Sequence, residues 1–252
     1  MSNRDDFLRK TEILAAMDPE QIQKPHNIPI PVYIQEAENL YVWALDDKDA
    51  LTRAGLSWEP VEDLPVRIGA LKETEAVWNA IRISIPDAAT KWAKGYPGAY
   101  ELKNQIRHAF RYAFRNRPAL LEKLRHTGAG RTHAAMIQAL VNLEELGTAN
   151  ADLLESVGFD MTLLEKADRK ADELRRIFSE ATNSRLRFPE AQDIRNRAYT
   201  HLREAVEEIR TCGRFVFKGN KERLYGYRSN YLRSRNIKHR KEKTEKKQGV
   251  EG

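Results

Sequence analysis

The chain has one cysteine, Cys212, among 252 residues, which excludes an intramolecular disulfide and any site built from several thiolates. No apolar run approaches the ~20 residues needed to cross a bilayer. The first 18 residues carry Arg4, Asp5, Asp6, Arg9, Lys10 and Glu12 with no central apolar block, so the layout of a secretory signal is missing. These absences point to a reducing, cytoplasmic setting and to no membrane partner. Histidine is sparse: His26, His108, His126, His133, His201 and His239 form no HxxxH or HExxH pair, and no metal site or other cofactor is expected. There is no GxSxG, and Cys212 falls on an apolar helical seam, where it reads as core rather than nucleophile. The segment 128–132 (GAGRT) lacks the lysine and the preceding strand that a phosphate-binding loop requires, and reads as a hinge. Glu204, Glu207 and Glu208 share the polar face of a helix with arginines and read as solvated or paired along it. No catalytic, cofactor-binding or metal residue is assigned.

What is present suits helices. Apolar residues make up 41% of the chain, enough for a proper core, and charged residues make up 32%, as expected of helices with one apolar stripe and a broad polar face. The net charge of +6 is unevenly spread. From Arg214 onward there are 13 Lys and Arg against 4 Glu, a balance of +9, so residues 1–213 sum to −3.

The strongest internal signal is a repeat. Without any gap, residues 31–117 lie over 134–220 at an offset of 103, and 18 of 87 pairs are identical. They include Gln35 with Gln138, Asn39 with Asn142, Gly55 with Gly158, Pro86 with Pro189, Arg107 with Arg210 and Arg111 with Arg214. Apolar periodicity falls in the same register. Leu164, Ala167, Ala171, Leu174, Phe178 and Ala181 step by 3 and 4 residues, the spacing of a packed seam. Their counterparts are Val61, Leu64, Ile68, Leu71, Glu75 and Trp78, of which only Glu75 breaks the stripe.

The pattern predicts an all-α helical bundle made of two tandem helical repeats related by a pseudo-twofold axis, with a basic C-terminal tail. Residues 1–30 form an amphipathic helix over Phe7 to Met17 and a Pro-rich lead-in. Repeat 1 occupies 31–127, a linker 128–133, repeat 2 134–230, and a basic, disordered tail 231–252. Each repeat reads as a first helix (Val32 to about Leu45; Ala134 to Leu146), a short helical turn closed by Gly55 or Gly158 at a left-handed C′ position, and two long helices. The long helices are expected over Val61 to Arg82 and from Pro86, and over Leu163 to Thr182 and from Pro189. Each proline is expected in a first turn, and Pro97 should kink or interrupt its helix. Thr132 is a suitable N-cap.

Two surfaces merit attention. Arg107, Arg111 and Arg115 recur every four residues, matched by Arg210, Arg214 and Lys218 in the second copy; they are either solvated faces neutralised by nearby Glu or, about a pseudo-twofold axis, one paired basic surface for anions or nucleic acid. The tail mixes Arg223, Arg228 and Arg233 with Tyr225, Tyr227 and Tyr231. Such a mixture can hold phosphates and stack bases, or the rings fold back onto the bundle and leave the charges in water.

The stretches 28–40 (IPIPVYIQEAENL), 49–56 (DALTRAGL) and 198–206 (AYTHLREAV) resemble a group of bacterial helical proteins of Bacteroidetes type that have no assigned activity. The resemblance covers most of the chain and implies a bacterial cytoplasmic setting; it lends no cofactor and no site residue. The functional expectation is a non-enzymatic helical scaffold or adaptor that binds a protein partner or itself, with nucleic-acid binding through the arginine stripes and tail as the alternative.

Overall fold

The computed structural model describes residues 2–127, 130 and 132–248, with the backbone alone from 240 onward. The predicted hinge and linker therefore lie partly outside the described residues, at 128, 129 and 131. Among the described residues the fold is all-α with no strand. Helix α1 is Asn3–Ala16, α2 Ile30–Asp46, α3 Lys48–Arg53, α4 Glu59–Ala113 and α5 Pro118–His126. They are followed by α6 His133–Thr148, α7 Ala151–Glu155, α8 Thr162–Val216, α9 Lys221–Gly226 and α10 Asn230–Gln248.

Local chemistry fixes the helix ends. Ser2 forms a capping box with Asp5, which starts α1 four residues before its first apolar position. Thr132 accepts the Ala135 N–H at 3.1 Å and caps α6 as expected. Gly55 and Gly158 have φ of 94° and 71°. After α3, Leu56 N–H reaches the Leu51 carbonyl at 3.1 Å and Gly55 N–H that of Thr52 at 2.9 Å. At the offset of 103 the same two bonds recur, from Phe159 to Leu154 at 3.1 Å and from Gly158 to Glu155 at 2.9 Å; this double closure requires a left-handed residue at the glycine. Side chains repeat too, with the Gln35 amide donating to Asn39 at 3.2 Å and that of Gln138 to Asn142 at 2.7 Å.

Two expectations fail. The pairs of long helices are in fact single 55-residue helices, α4 and α8, which run through Pro86, Pro97 and Pro189 without interruption. A proline inside a helix costs about 3 kcal/mol through its missing N–H and its steric clash. The apolar stripe nevertheless continues on both sides, from Leu64 and Leu71 to Ala88, Trp92 and Ala99, and burying it favours an unbroken helix. The tail is also not disordered over its described length. Helix α10 begins where Ser229 accepts the Leu232 N–H at 3.2 Å, the bond of an N-cap, and extends to Gln248.

The chain divides into two compact units that do not coincide with the two segments aligned at the offset of 103, residues 31–117 and 134–220, labelled first and second copy for that alignment alone. Unit 1 comprises residues up to Asn79 together with those from Pro189 onward; unit 2 is Ala80–Phe188. The core of unit 1 joins Ile34, Leu40, Leu64 and Leu71 of the first copy to Leu202, Val206 and Ile209 of the second. In the core of unit 2 the reverse holds, with Ala99, Ile106 and Phe110 of the first copy packed with Ile137, Leu143, Ala167 and Leu174 of the second. Each core is thus closed by the front half of one copy and the back half of the other.

The return of the chain after α8 is locked into unit 1. Tyr227 is fully buried and stacks on Phe217 with ring centroids 5.4 Å apart. A Cβ at Gly213 would overlap its ring. Gly213→Ala is therefore expected to expel Tyr227 and to lower stability by about 2 kcal/mol, within the usual range for overpacking. Urea denaturation of the variant checks this; a midpoint equal to that of the parent would contradict it.

Candidate functional site

Of the nine basic residues marked by the sequence, three are engaged in holding the fold. Arg210 is 6% exposed and pairs with Glu36 at 2.9 Å, so it is withdrawn from any open basic surface. Glu36 also accepts from Ser229 Oγ at 3.0 Å and from Tyr231 N–H at 2.9 Å, which ties α10 to α2. Arg223 pairs with Asp47 at 2.5 Å and lies over the Trp43 ring at 4.7 Å. Tyr227 donates its hydroxyl to the same carboxylate at 2.7 Å; burial and the adjacent Asp47 carboxylate push its pKa upward. Arg107 is half-buried and donates to the Thr127 carbonyl. Burial and its neighbour Arg111 hold its pKa below the usual arginine range.

The remaining six, Arg111, Arg115, Arg214, Lys218, Arg228 and Arg233, are exposed. Arg115 lies over Tyr112 at 4.3 Å and Arg233 over Tyr225 at 5.3 Å. Arg107, Arg111 and Arg115 belong to unit 2 and the other six to unit 1. With Arg210 buried, the second stripe is reduced to Arg214 and Lys218, so it does not mirror the first.

Sequence reasoning missed the residues that answer buried charges from afar. Glu75, the single break in the apolar stripe, stands 3.8 Å from Arg195, and Arg195 covers the Trp78 ring at 4.0 Å. At the offset of 103 the counterparts of Glu75 and Arg195 are Phe178 and Trp92, whose rings are 6.4 Å apart in unit 2. One copy of the contact is ionic, the other aromatic. The break at Glu75 was the available signal; its partner, far along the chain, carried none.

Two open surfaces lie in unit 2. The first is a groove of about 560 Å³ between α4 and α8, lined by Lys91, Lys94, Gly95, Lys170, Arg176 and Ile177, with Glu173 and Glu180. Gly95 lets the helices approach closely, since a Cβ there would come within 3.3 Å of Leu174. Lys170 pairs with Glu173 at 2.7 Å and Lys91 with Asp87 at 2.7 Å. The second is a stripe along α4. Tyr96 and Tyr100 stack with centroids 6.2 Å apart, Lys103 lies over Tyr100 at 4.7 Å, and Arg107 and Arg111 follow at helical spacing. In unit 1 a smaller pocket of about 250 Å³ opens beside Arg210, Arg228, Asn230, Trp43 and Tyr225.

Cys212 is partly buried, with its Sγ 3.7 Å from the Leu51 carbonyl; burial, with nearby Glu208, raises its thiol pKa, which disfavours the nucleophilic thiolate. Among the described residues no group of three or more His, Cys, Asp or Glu is placed to hold a metal ion. No helix among them is long and apolar enough to cross a membrane. No protein-family model, curated protein or solved structure matches the chain.

One buried group is titratable in an accessible range. His201 lies at the α1 side of unit 1, where burial, with the nearby cations Arg67 and Lys10, pushes its pKa down to about 4 against the pull of Asp63. Glu204 stands 3.9 Å from its Nδ1. In the unfolded chain the imidazole titrates near ~6.5. Between these values the unfolded state binds more protons, so the contribution of His201 is complete above pH about 6.5 and is lost as pH falls toward 4, up to about 3 kcal/mol. His201→Gln is expected to flatten this part of the pH dependence of the urea midpoint. An unchanged profile would contradict the assignment.

Proposed function

We propose that the protein is a non-enzymatic helical scaffold that binds a protein partner in a bacterial cytoplasm. The observation that carries this reading is the open groove of unit 2, where Gly95 and Ile177 lie among four cations and two carboxylates. Such a surface suits an amphipathic segment of another protein. The reading is further supported by the ion pairs of unit 1, because Glu36 with Arg210, Asp47 with Arg223 and Glu75 with Arg195 spend their interactions on the fold.

The α4 stripe favours a second reading. Stacked, exposed tyrosines followed by cations on one helix face match the alternation of bases and phosphates in a single strand. On that reading Tyr96 and Tyr100 carry bases while Lys103, Arg111 and Arg115 meet phosphates, and binding weakens steeply with salt.

One experiment separates the two. The tagged full-length chain is cross-linked in its native cell, recovered with and without nuclease, and its companions are identified by mass spectrometry. A protein partner in fixed ratio that survives nuclease is expected. Recovery of nothing except the chain, or of proteins that all depart with nuclease, would contradict the scaffold reading.

A further inference from the structure

In unit 1 the groove between the front of α4 and the back of α8 is filled by α1. Leu14 is 2% exposed within the core. Asp6 rests on Gly69, where a Cβ would collide with it. Lys10 pairs with Asp63 at 2.6 Å. At the end of the helix Arg197 donates from Nη1 to the carbonyls of Leu14 at 3.0 Å and Met17 at 2.9 Å. A cation thereby satisfies carbonyls that a helix leaves without partners at its C-terminus.

The offset of 103 carries this seat onto the groove of unit 2. Lys94 stands where Arg197 does, Gly95 where Ala198 does, and Lys170 where Arg67 does. All three line the 560 Å³ opening. Burial differs as expected of a covered and an uncovered groove. His201 is 7% exposed, whereas its counterpart Gly98 is exposed and has no atom within 4 Å of a Cβ built on it. Ala70 is 1% exposed against a half-exposed Glu173, and Gly69 is buried against an exposed Asp172.

We propose that the unit 2 groove docks an acidic amphipathic helix from a partner protein, lying along the groove as α1 does in unit 1, ending with its last carbonyls at Lys94, and carrying a small residue where α1 has Asp6, because Asp172 stands where Gly69 does. This rests on the scaffold reading and names the chemistry of its partner. Charge decides the occupant. Lys94 and Arg176 make no ion pair among the described residues, while Lys91 and Lys170 already have carboxylates. The position of Asp63, which receives Lys10 of α1, is held in unit 2 by the exposed Lys166. A second copy's α1 would set Lys10 against this lysine; a partner helix with a carboxylate there would pair with it.

The test titrates the full-length chain with two labelled peptides. One has the sequence of residues 2–17; the other has the same sequence with Arg4, Arg9 and Lys10 replaced by Glu and Asp6 by Ala. The acidic peptide is expected to bind saturably, at least tenfold more tightly than the unaltered one. Lys94→Glu with Arg176→Glu, two exposed changes whose folding is checked by circular dichroism, should weaken it at least tenfold. Absence of saturable binding, or binding undiminished in the double variant, overturns the proposal. Equal binding of the unaltered peptide overturns it in favour of a second copy of the chain. Displacement of the acidic peptide by a single-stranded oligonucleotide overturns it in favour of nucleic acid. Repeating the cellular cross-linking with the double variant keeps the two claims apart: a partner retained by the variant ends the groove assignment alone, whereas no partner on the parent chain ends the scaffold reading.

Discussion

Everything in this fold depends on two apolar seams, each closed by residues from both of the segments 31–117 and 134–220. Leu64, Ile68 and Leu71 are buried in unit 1 with Leu202, Val206 and Ile209, all from the other copy. Unit 2 makes the converse exchange. A fully buried Leu or Ile contributes roughly 1.5–3 kcal/mol, so a handful of seam residues outweighs the penalty of the prolines within α4 and α8. The continuity of the two 55-residue helices follows from that balance.

Charge is used inside unit 1 to specify position. Glu36 and Arg210 fix the start of α10, Asp47 with Arg223 and Tyr227 fixes α9, and Arg197 and Lys10 fix α1. A buried ion pair adds little net stability, but removal of one partner is costly because the other is left uncompensated. These pairs therefore dictate where the terminal segments lie more than they strengthen the core. Unit 2 has aromatic contacts at the matching point, with Trp92 against Phe178 and His133 stacked on Trp92 at 3.9 Å. Its groove retains Lys94 and Arg176, which make no ion pair among the described residues.

Local features were legible in the sequence wherever a short-range rule decides them. The left-handed glycines 55 and 158, the Thr132 cap, the first helix of each copy and the seam spacing all depend on neighbours within a turn or two. Breaks expected at Pro86, Pro97 and Pro189 were misread because packing overrides the local preference, and no window around a proline contains that packing. The basic stripe was misread at Arg210 for a similar reason: Glu36, which removes it from the surface, lies 174 positions away. A disordered tail was expected over 231–252 for want of an apolar period, whereas the start of α10 is set by the Ser229 cap just ahead of it. The groove could be recognised only after the seat of α1 was known, since its meaning lies in the contrast between two places that the sequence makes alike.

The exchange of halves is tested most directly by native-state hydrogen exchange on an Ile209→Ala variant. Ile209 is fully buried and belongs to the second copy, yet packs in unit 1. The account predicts that amides of α2 and of residues 59–79 lose protection, while those of α6 and of residues 162–188 keep theirs. Loss of protection across α6 and residues 162–188, with α2 unaffected, would show that Ile209 packs with residues 134–188 instead and would contradict it.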